Sequence, residues 1–260
     1  MLRSGLKMTN IVAIKKEQHQ NVKVAAQRDL SQFAGQHIAP VTVREFAQAA
    51  TSYPIVLVKE PESNQFRTVV MLGLEAGENL YLSDEKWQAI YVPQALSMVP
   101  FSLGLDPEKE NTLTSCVDLD SPFVGEDKEH ALFDEQGNET DFFKNIHDQL
   151  GRLYENELTN QKFMQVLTDN DLIQELELIV TFADGQSKKL VGIYGINEKN
   201  LQNLKDETVL EFNKAGTFMP IHAMLTSAGQ VNRLAQLRNT GSNPQKIANI
   251  QYSVKTEEAK

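Results

Sequence analysis

A chain of 260 residues, 41% hydrophobic and 23% charged, has the composition of a folded globular protein and not of a disordered one. Its 35 acidic and 25 basic residues leave a formal charge of −10, which excludes general nucleic-acid binding, because phosphate contacts need clustered lysine and arginine. The single cysteine, Cys116, excludes an intramolecular disulfide framework, and no run reaches the ~20 apolar residues of a membrane-spanning helix.

The opening MLRSGLKMTNIVAIKK is basic but lacks the apolar core of a secretory signal. Residues 1–24 are polar and weakly patterned and read as an N-terminal arm. Thr42-Val43-Arg44-Glu45 has the form of a capping box, in which threonine and glutamate each satisfy an orphan amide. It predicts a short helix over 43–51, with Phe46, Ala47 and Ala50 on one face and Pro54 beyond its end. Ile55–Val58 and Thr68–Leu72 are β-rich, and Pro61-Glu62-Ser63-Asn64 between them supplies turn chemistry for an antiparallel pair. A short strand follows at Leu80–Leu82.

Next comes WQAIYVPQALSMVPF, residues 87–101, which holds the only tryptophan. Pro93 suits the first turn of a short helix there, and Pro100 helps to end it. Leu113–Leu119 reads as a strand closed by Ser121-Pro122. After Gly137, Asn138 with Asp141 offers a cap, and Phe143, Ile146, Leu150, Tyr154 and Leu158 recur at helical spacing. A further turn or two carries Phe163, Met164 and Leu167. The strongest hairpin signal is ELELIVTFADGQSKKLVGIYG, where alternating apolar residues flank Asp184-Gly185.

Two short helices are predicted around Leu201–Leu204 and Val209–Phe212, with Gly216 as a stop, and a last helix over 219–237. The polar remainder reads as a loose tail. Strands and helices do not alternate as β-α-β, so the fold class is α+β: a single domain over 25–237 with antiparallel β hairpins and several packed helices. The arm covers 1–24 and the tail 238–260.

The chemistry is harder to find. The histidines His19, His37, His130, His147 and His222 form no HxH, HxxxH or HExxH pair, so no metal site is signalled. His222 is expected to be a buried, hydrogen-bonded core residue and His147 an exposed helix position. Cys116 shares a strand face with Asp118, which disfavours a thiolate, so it reads as a structural thiol. Asp118-Leu119-Asp120 begins like a calcium loop, but Pro122 and Phe123 stand where the motif needs an acid or amide and a glycine. There is no GxGxxG, no phosphate loop and no GxSxG. No catalytic residue, metal or cofactor is assigned. The aromatic stretch remains, and it has two readings: rigid aromatic and proline surfaces hold peptides or sugars well, and the same residues are ordinary core material.

Several segments together resemble the SapC family of bacterial proteins. They are Ala39-Pro40-Val41-Thr42, Glu45-Phe46, Tyr53-Pro54-Ile55-Val56, Leu72-Gly73-Leu74 and Gly77-Glu78-Asn79-Leu80-Tyr81. Trp87, Tyr91-Val92-Pro93 and Pro100-Phe101 follow, then Leu132-Phe133-Asp134 with Gly137, the Ala183-Asp184-Gly185 turn, and His222–Leu225 with Ser227. One departure is Ser83-Asp84-Glu85-Lys86, where a tight glycine turn is expected before the tryptophan.

The resemblance implies association with a bacterial surface layer, and a functional link to TonB-dependent receptors, cupin-like proteins and tryptophan-halogenase-like flavoproteins. It carries over no catalytic residues. The expected function is that of a non-catalytic binding or accessory protein with a protein or peptide partner, contacted by Trp87, Tyr91, Phe101 and Tyr53. The alternative is an enzyme, or enzyme accessory, working with oxidative partners on peptides or small molecules. A cytoplasmic location is expected, with export to the cell surface without a cleaved signal as the alternative.

Overall fold

A computed structural model describes residues 10–106, 108–109 and 112–255. From the N-terminal side, β1 (Ile11–Ala13), α1 (Lys16–His19) and β2 (Lys23–Val24) lead to β3 (Ile38–Pro40). Helix α2 (Phe46–Ala49) precedes the hairpin of β4 (Ile55–Lys59) and β5 (Phe66–Met71). A smaller hairpin, β6 (Leu82–Ser83) and β7 (Lys86–Trp87), is followed by α3 (Gln94–Ser97), β8 (Phe101–Leu105) and β9 (Leu113–Asp118). Then β10 (Val124–Gly125) and β11 (His130–Ala131) feed the long helix α4 (Asp141–Asp169). The second half holds β12 (Ile173–Phe182), β13 (Ser187–Ile196), α5 (Glu198–Gln202), α6 (Asp206–Ala215), α7 (Phe218–Ser227), α8 (Val231–Thr240) and β14 (Ile247–Val254).

The main sheet is antiparallel throughout, in the order β14-β12-β13-β4-β5-β3, and a second, three-stranded sheet has the order β1-β9-β8. This is an α+β fold with antiparallel sheets, as the sequence indicates. The β12–β13 hairpin forms at Asp184-Gly185, with Gly185 at φ 86°, the left-handed value a tight turn needs. The β6–β7 hairpin forms without glycine: Asp84 and Glu85 take φ 50° and 62° themselves. None of the helices among the described residues is long and apolar enough to cross a membrane.

Four expectations are corrected. Residues 11–24 are not a free arm: β1 pairs with β9, and β2 lies between β10 and β11 with Val24 fully buried. Residues 1–9 lie outside the described residues. The tail from 238 is not loose, because β14 forms an edge of the main sheet and buries Ile247 and Ile250. These two isoleucines are three apart, yet both point inward, because the pairing skips Ala248 between Phe182↔Ile247 and Thr181↔Asn249. Helix α4 is continuous over 29 residues, and the helix expected over 219–237 is broken by a 3₁₀ turn at Ala228–Gln230.

At 29 residues, α4 is about 44 Å long, and it serves two cores. Phe143, Ile146 and Leu150 pack with Val24, Met98, Phe101 and Val117 against the three-stranded sheet. Phe163, Met164 and Leu167 pack with the main sheet and the remaining helices. Tyr154 and Leu158 are 44% and 40% exposed, so they lie outside the inward stripe expected of them. That stripe steps through Leu153, Glu157 and Asn160 instead.

The C-terminal region is pinned by charge. Arg238 on α8 is 2% exposed and donates to both carboxylate oxygens of Glu78, at 3.1 and 3.2 Å. It also donates to Glu75 and to the Gln245 carbonyl, and lies over the Phe182 ring. The loop that carries Glu75 and Glu78 is thereby tied to the chain leading into β14. Arg238→Met would leave Glu78 without its guanidinium beside a buried position, while Glu75 keeps Lys188, so we expect a loss of about 3 kcal/mol in urea unfolding. An unchanged midpoint would show that the ion network is not a stabilising tie.

Candidate functional site

Where α4 passes from one core to the other, packing is incomplete. A cavity of about 300 Å³ lies there, walled by Val41 and Thr42 just after β3, Ala95 from α3, Leu103 from β8, and Leu153, Tyr154, Glu157 and Asn160 from α4. It continues into a more polar cavity of about 610 Å³ along α4 and the start of β5. Arg67, Glu157 and Asn160 line both, so the two make one groove.

Its polar groups have distinct states. Asn160 is 4% exposed, and one end of its side-chain amide meets Thr68 Oγ1 at 3.1 Å. The Thr68 hydroxyl has a single proton and lies within reach of the Val41 carbonyl as well, so the Asn160 amide can satisfy this contact with either of its ends. In both orientations the other end has no hydrogen-bond partner among the described residues. Burial pushes the Glu157 carboxyl above the ordinary carboxylate range, and Arg67 and Gln161 offset only part of that. Arg67 is paired outward with Glu60. The groove therefore has an apolar end, an unspent amide group, and charges of both signs where its two halves meet.

Glu45 closes the wall behind the cavity. Its Oε2 accepts from the Thr42 amide and hydroxyl at 2.9 and 3.0 Å, and its Oε1 accepts from the Tyr91 hydroxyl and the Gln94 amide at 2.7 and 2.8 Å. Glu45 is 5% exposed, and four donors meet its four lone-pair sites. The Thr42–Glu45 pair keeps one half of the expected capping box: the glutamate reaches back to the Thr42 amide. The threonine hydroxyl turns to the glutamate as well, and the helix that follows is only Phe46–Ala49.

Of the residues proposed from sequence, Trp87, Tyr53 and Tyr91 come together and Phe101 does not. Trp87 Nε1 donates to the Tyr53 hydroxyl at 2.7 Å, and Tyr53 donates to the Tyr91 carbonyl. Tyr81 packs tilted against Tyr53 and stacks on Trp87, with ring centroids 4.6 and 6.2 Å away, and donates to the Ser52 carbonyl. Tyr53 is fully buried, while Trp87 and Tyr91 are half-buried. Burial pushes the Tyr53, Tyr81 and Tyr91 hydroxyls well above the usual phenol range, with the Glu45 carboxylate adding to the shift at Tyr91. Phe101 is 3% exposed in the smaller core. The sequence offered no signal for Asn160 or Glu157, because polar residues on a helix read as its wet face.

The histidines also differ from expectation. His222 is exposed and stacks on Phe218, so it is not a buried core residue. His147 is half-buried: Nδ1 lies 3.0 Å from Ser115 Oγ, and Nε2 lies 3.4 Å from Glu139. A serine, a histidine and a carboxylate in line resemble a hydrolytic triad, but Ser115 is 3% exposed and held between strand and helix. A nucleophile needs substrate access, so this chain of contacts ties β9 to α4. Cys116 is buried, which pushes its thiol pKa up, and its Sγ would lie 2.7 Å from a Cβ on Gly104. Among the described residues, no three His, Cys, Asp or Glu side chains converge on a point that would hold a metal ion.

The fold and site define an α+β protein in which two cores meet at a ligand-sized groove braced by a hydrogen-bonded aromatic frame. A family model described as SapC matches residues 14–234, and the chain belongs to the SapC family. No curated protein and no solved structure matches the chain.

Two outcomes test this geometry. Tyr53→Phe leaves Trp87 Nε1 without an acceptor and the Tyr91 carbonyl without a donor, at an expected cost of about 1–3 kcal/mol. Emission from Trp87, the only tryptophan, should shift in the folded variant; unchanged stability and emission would refute the frame. The second outcome concerns pH. The folded state holds the Glu157 proton more tightly than the unfolded chain does, so wild-type stability should fall as pH rises from the unfolded carboxylate range through the higher folded value. Glu157→Gln should remove that part of the slope, and parallel slopes for both proteins across this window would count against a buried carboxyl.

Proposed function

We propose that the chain is a non-catalytic binding protein that holds a peptide segment in the groove between α4 and the β3–β5 end of the main sheet. One observation carries this reading: the 96%-buried Asn160 keeps half of its amide free at the point where an apolar cavity opens into a polar groove. The free end, an NH2 donor or a carbonyl acceptor according to the orientation of the amide, meets one of the two polar groups of a peptide bond. The apolar cavity suits one aliphatic side chain beside it, with Glu157 and Arg67 facing the polar main chain. Trp87, Tyr53 and Tyr91 enter as the frame that holds Glu45 against the back of the cavity. The surface-layer association and the oxidative neighbours implied by the family likeness are, on this reading, two settings for one activity, the holding of a peptide.

The test is an amide-resolved NMR titration with blocked pentapeptides carrying leucine, methionine or phenylalanine at the centre. A binding peptide should shift resonances of residues 67–68 and 153–161. Leu153→Trp, which fills the apolar cavity, should weaken binding about tenfold or more in a protein that remains folded by circular dichroism. Binding that survives Leu153→Trp and Asn160→Leu undiminished, or shifts confined to other surfaces, would sink the proposal.

A further inference from the structure

A second groove runs along the other side of α4 and shares no lining residue with the first. It is a cavity of about 460 Å³ between α2, α4 and the corner of α6 and α7. Phe46 and Phe163 form its floor, in edge-to-face contact at 6.0 Å, with Val166 and Ala223 packed beside them. Met219 stands at its lip, 68% exposed. A long thioether side chain left in water at the edge of an apolar trough is adaptable contact material.

The charge of this groove runs against the rest of the molecule. Acids outnumber bases 35 to 25 in the chain, yet the only charged residues lining the groove are Arg44 and Lys162. The first groove sets Glu45 and Glu157 beside Arg67 and Lys59, the cavity by α7 and β14 carries Glu198, and the one beside Arg238 carries Glu78, so each of these has an acid in its lining and this groove has none. Neither Arg44 nor Lys162 makes an ion pair with a described residue. On α4 the positions three and four residues either side of Lys162 are Leu158, Thr159, Gln165 and Val166, so its own helix supplies no acid.

We infer that this groove docks an acidic amphipathic segment of a partner protein, with its apolar face on Phe46, Phe163 and Met219 and its carboxylates on Arg44 and Lys162. Two separate cations, one in the turn before α2 and one on α4, suit carboxylates spaced along a helix, and an open trough with a flexible methionine lip suits a helix laid into it. The opposite sign of the surrounding surface makes the patch selective: a basic segment would be drawn to the rest of the molecule instead. The inference is independent of the first groove and assigns the protein a partner surface in addition to a ligand site.

The probe is a fluorescein-labelled helical peptide of about 16 residues, with leucines at i, i+3, i+4 and i+7 spacing and glutamates on the flanks. Its counterpart has lysine in place of each glutamate. The glutamate peptide should bind by anisotropy, more weakly as salt rises, and should slow hydrogen exchange at 43–47, 159–166 and 215–223. The double variant Arg44→Glu/Lys162→Glu should weaken it about tenfold or more with an unchanged circular dichroism spectrum. The proposal falls if the glutamate peptide does not bind, if the double variant or the lysine peptide binds as well, or if exchange slows elsewhere. It also falls if only sodium decanoate protects these residues, which would mark a fatty-anion site. Concentration-dependent sedimentation abolished by the double variant would assign the groove to a second copy and overturn it too.

Discussion

The carboxylate of Glu45 is the point on which the neighbouring structure hangs. An ionisable group buried to 95% is tolerable only if its lone pairs are met, and here four donors from three segments converge on it. The Thr42 donors fix the corner between β3 and α2. The Gln94 amide fixes the start of α3, which otherwise has no side-chain cap. The Tyr91 hydroxyl fixes the segment between the β6–β7 hairpin and α3, and the Tyr91 carbonyl then receives Tyr53, which receives Trp87. Such a network is worth more than its separate bonds, since each member orients the next, and losing one leaves others buried and unpaired.

A long helix shared by two cores explains where the groove lies. Each core is filled by its own stretch of α4, Phe143 to Leu150 in one and Phe163 to Leu167 in the other. Between them the inward stripe reads Leu153, Glu157, Asn160. Two polar residues at positions that face protein cannot close-pack against Leu103 and Ala95 as aliphatic residues would, and the space they leave is the cavity. Asn160 recovers one hydrogen bond through Thr68 and keeps the other end unspent. A buried polar group with unspent capacity is a cost to stability, and a ligand that meets it removes that cost.

The sequence was most legible where local chemistry decides structure and least where distant pairing does. Asp184-Gly185 flanked by alternating apolar residues could form little but a hairpin, and it does. Strand β14 escaped because its bulge at Ala248 breaks the two-residue period that marks a strand. Tyr154 and Leu158 were plausible members of the α4 stripe by spacing alone. They lost to the register that keeps Leu150, Leu153, Glu157 and Asn160 in line, which depends on where the sheets sit. The buried, hydrogen-bonded histidine expected at position 222 is found at His19, whose Nδ1 accepts from the Lys15 amide. Nothing in the polar run around His19 marks it as interior, since its burial comes from chain segments far off in sequence.

The aromatic stretch now has a physical role that its composition left open. Glu45, Tyr53, Tyr81, Trp87 and Tyr91, on which much of the family likeness rests, make up the frame, and Ser227 adds a further tie by accepting the Ile55 amide. A family signature of this kind specifies a shape, and the shape is then available to different ligands. Because Glu45 belongs to the frame on one side and to the cavity wall on the other, the two are mechanically one body. On the proposed reading the aromatic residues act by position: they set where α3 and Ala95 stand, and so how wide the apolar end of the groove is. Contact and specificity would then lie with Leu153, Glu157 and Asn160, which belong to α4 and can vary without disturbing the frame.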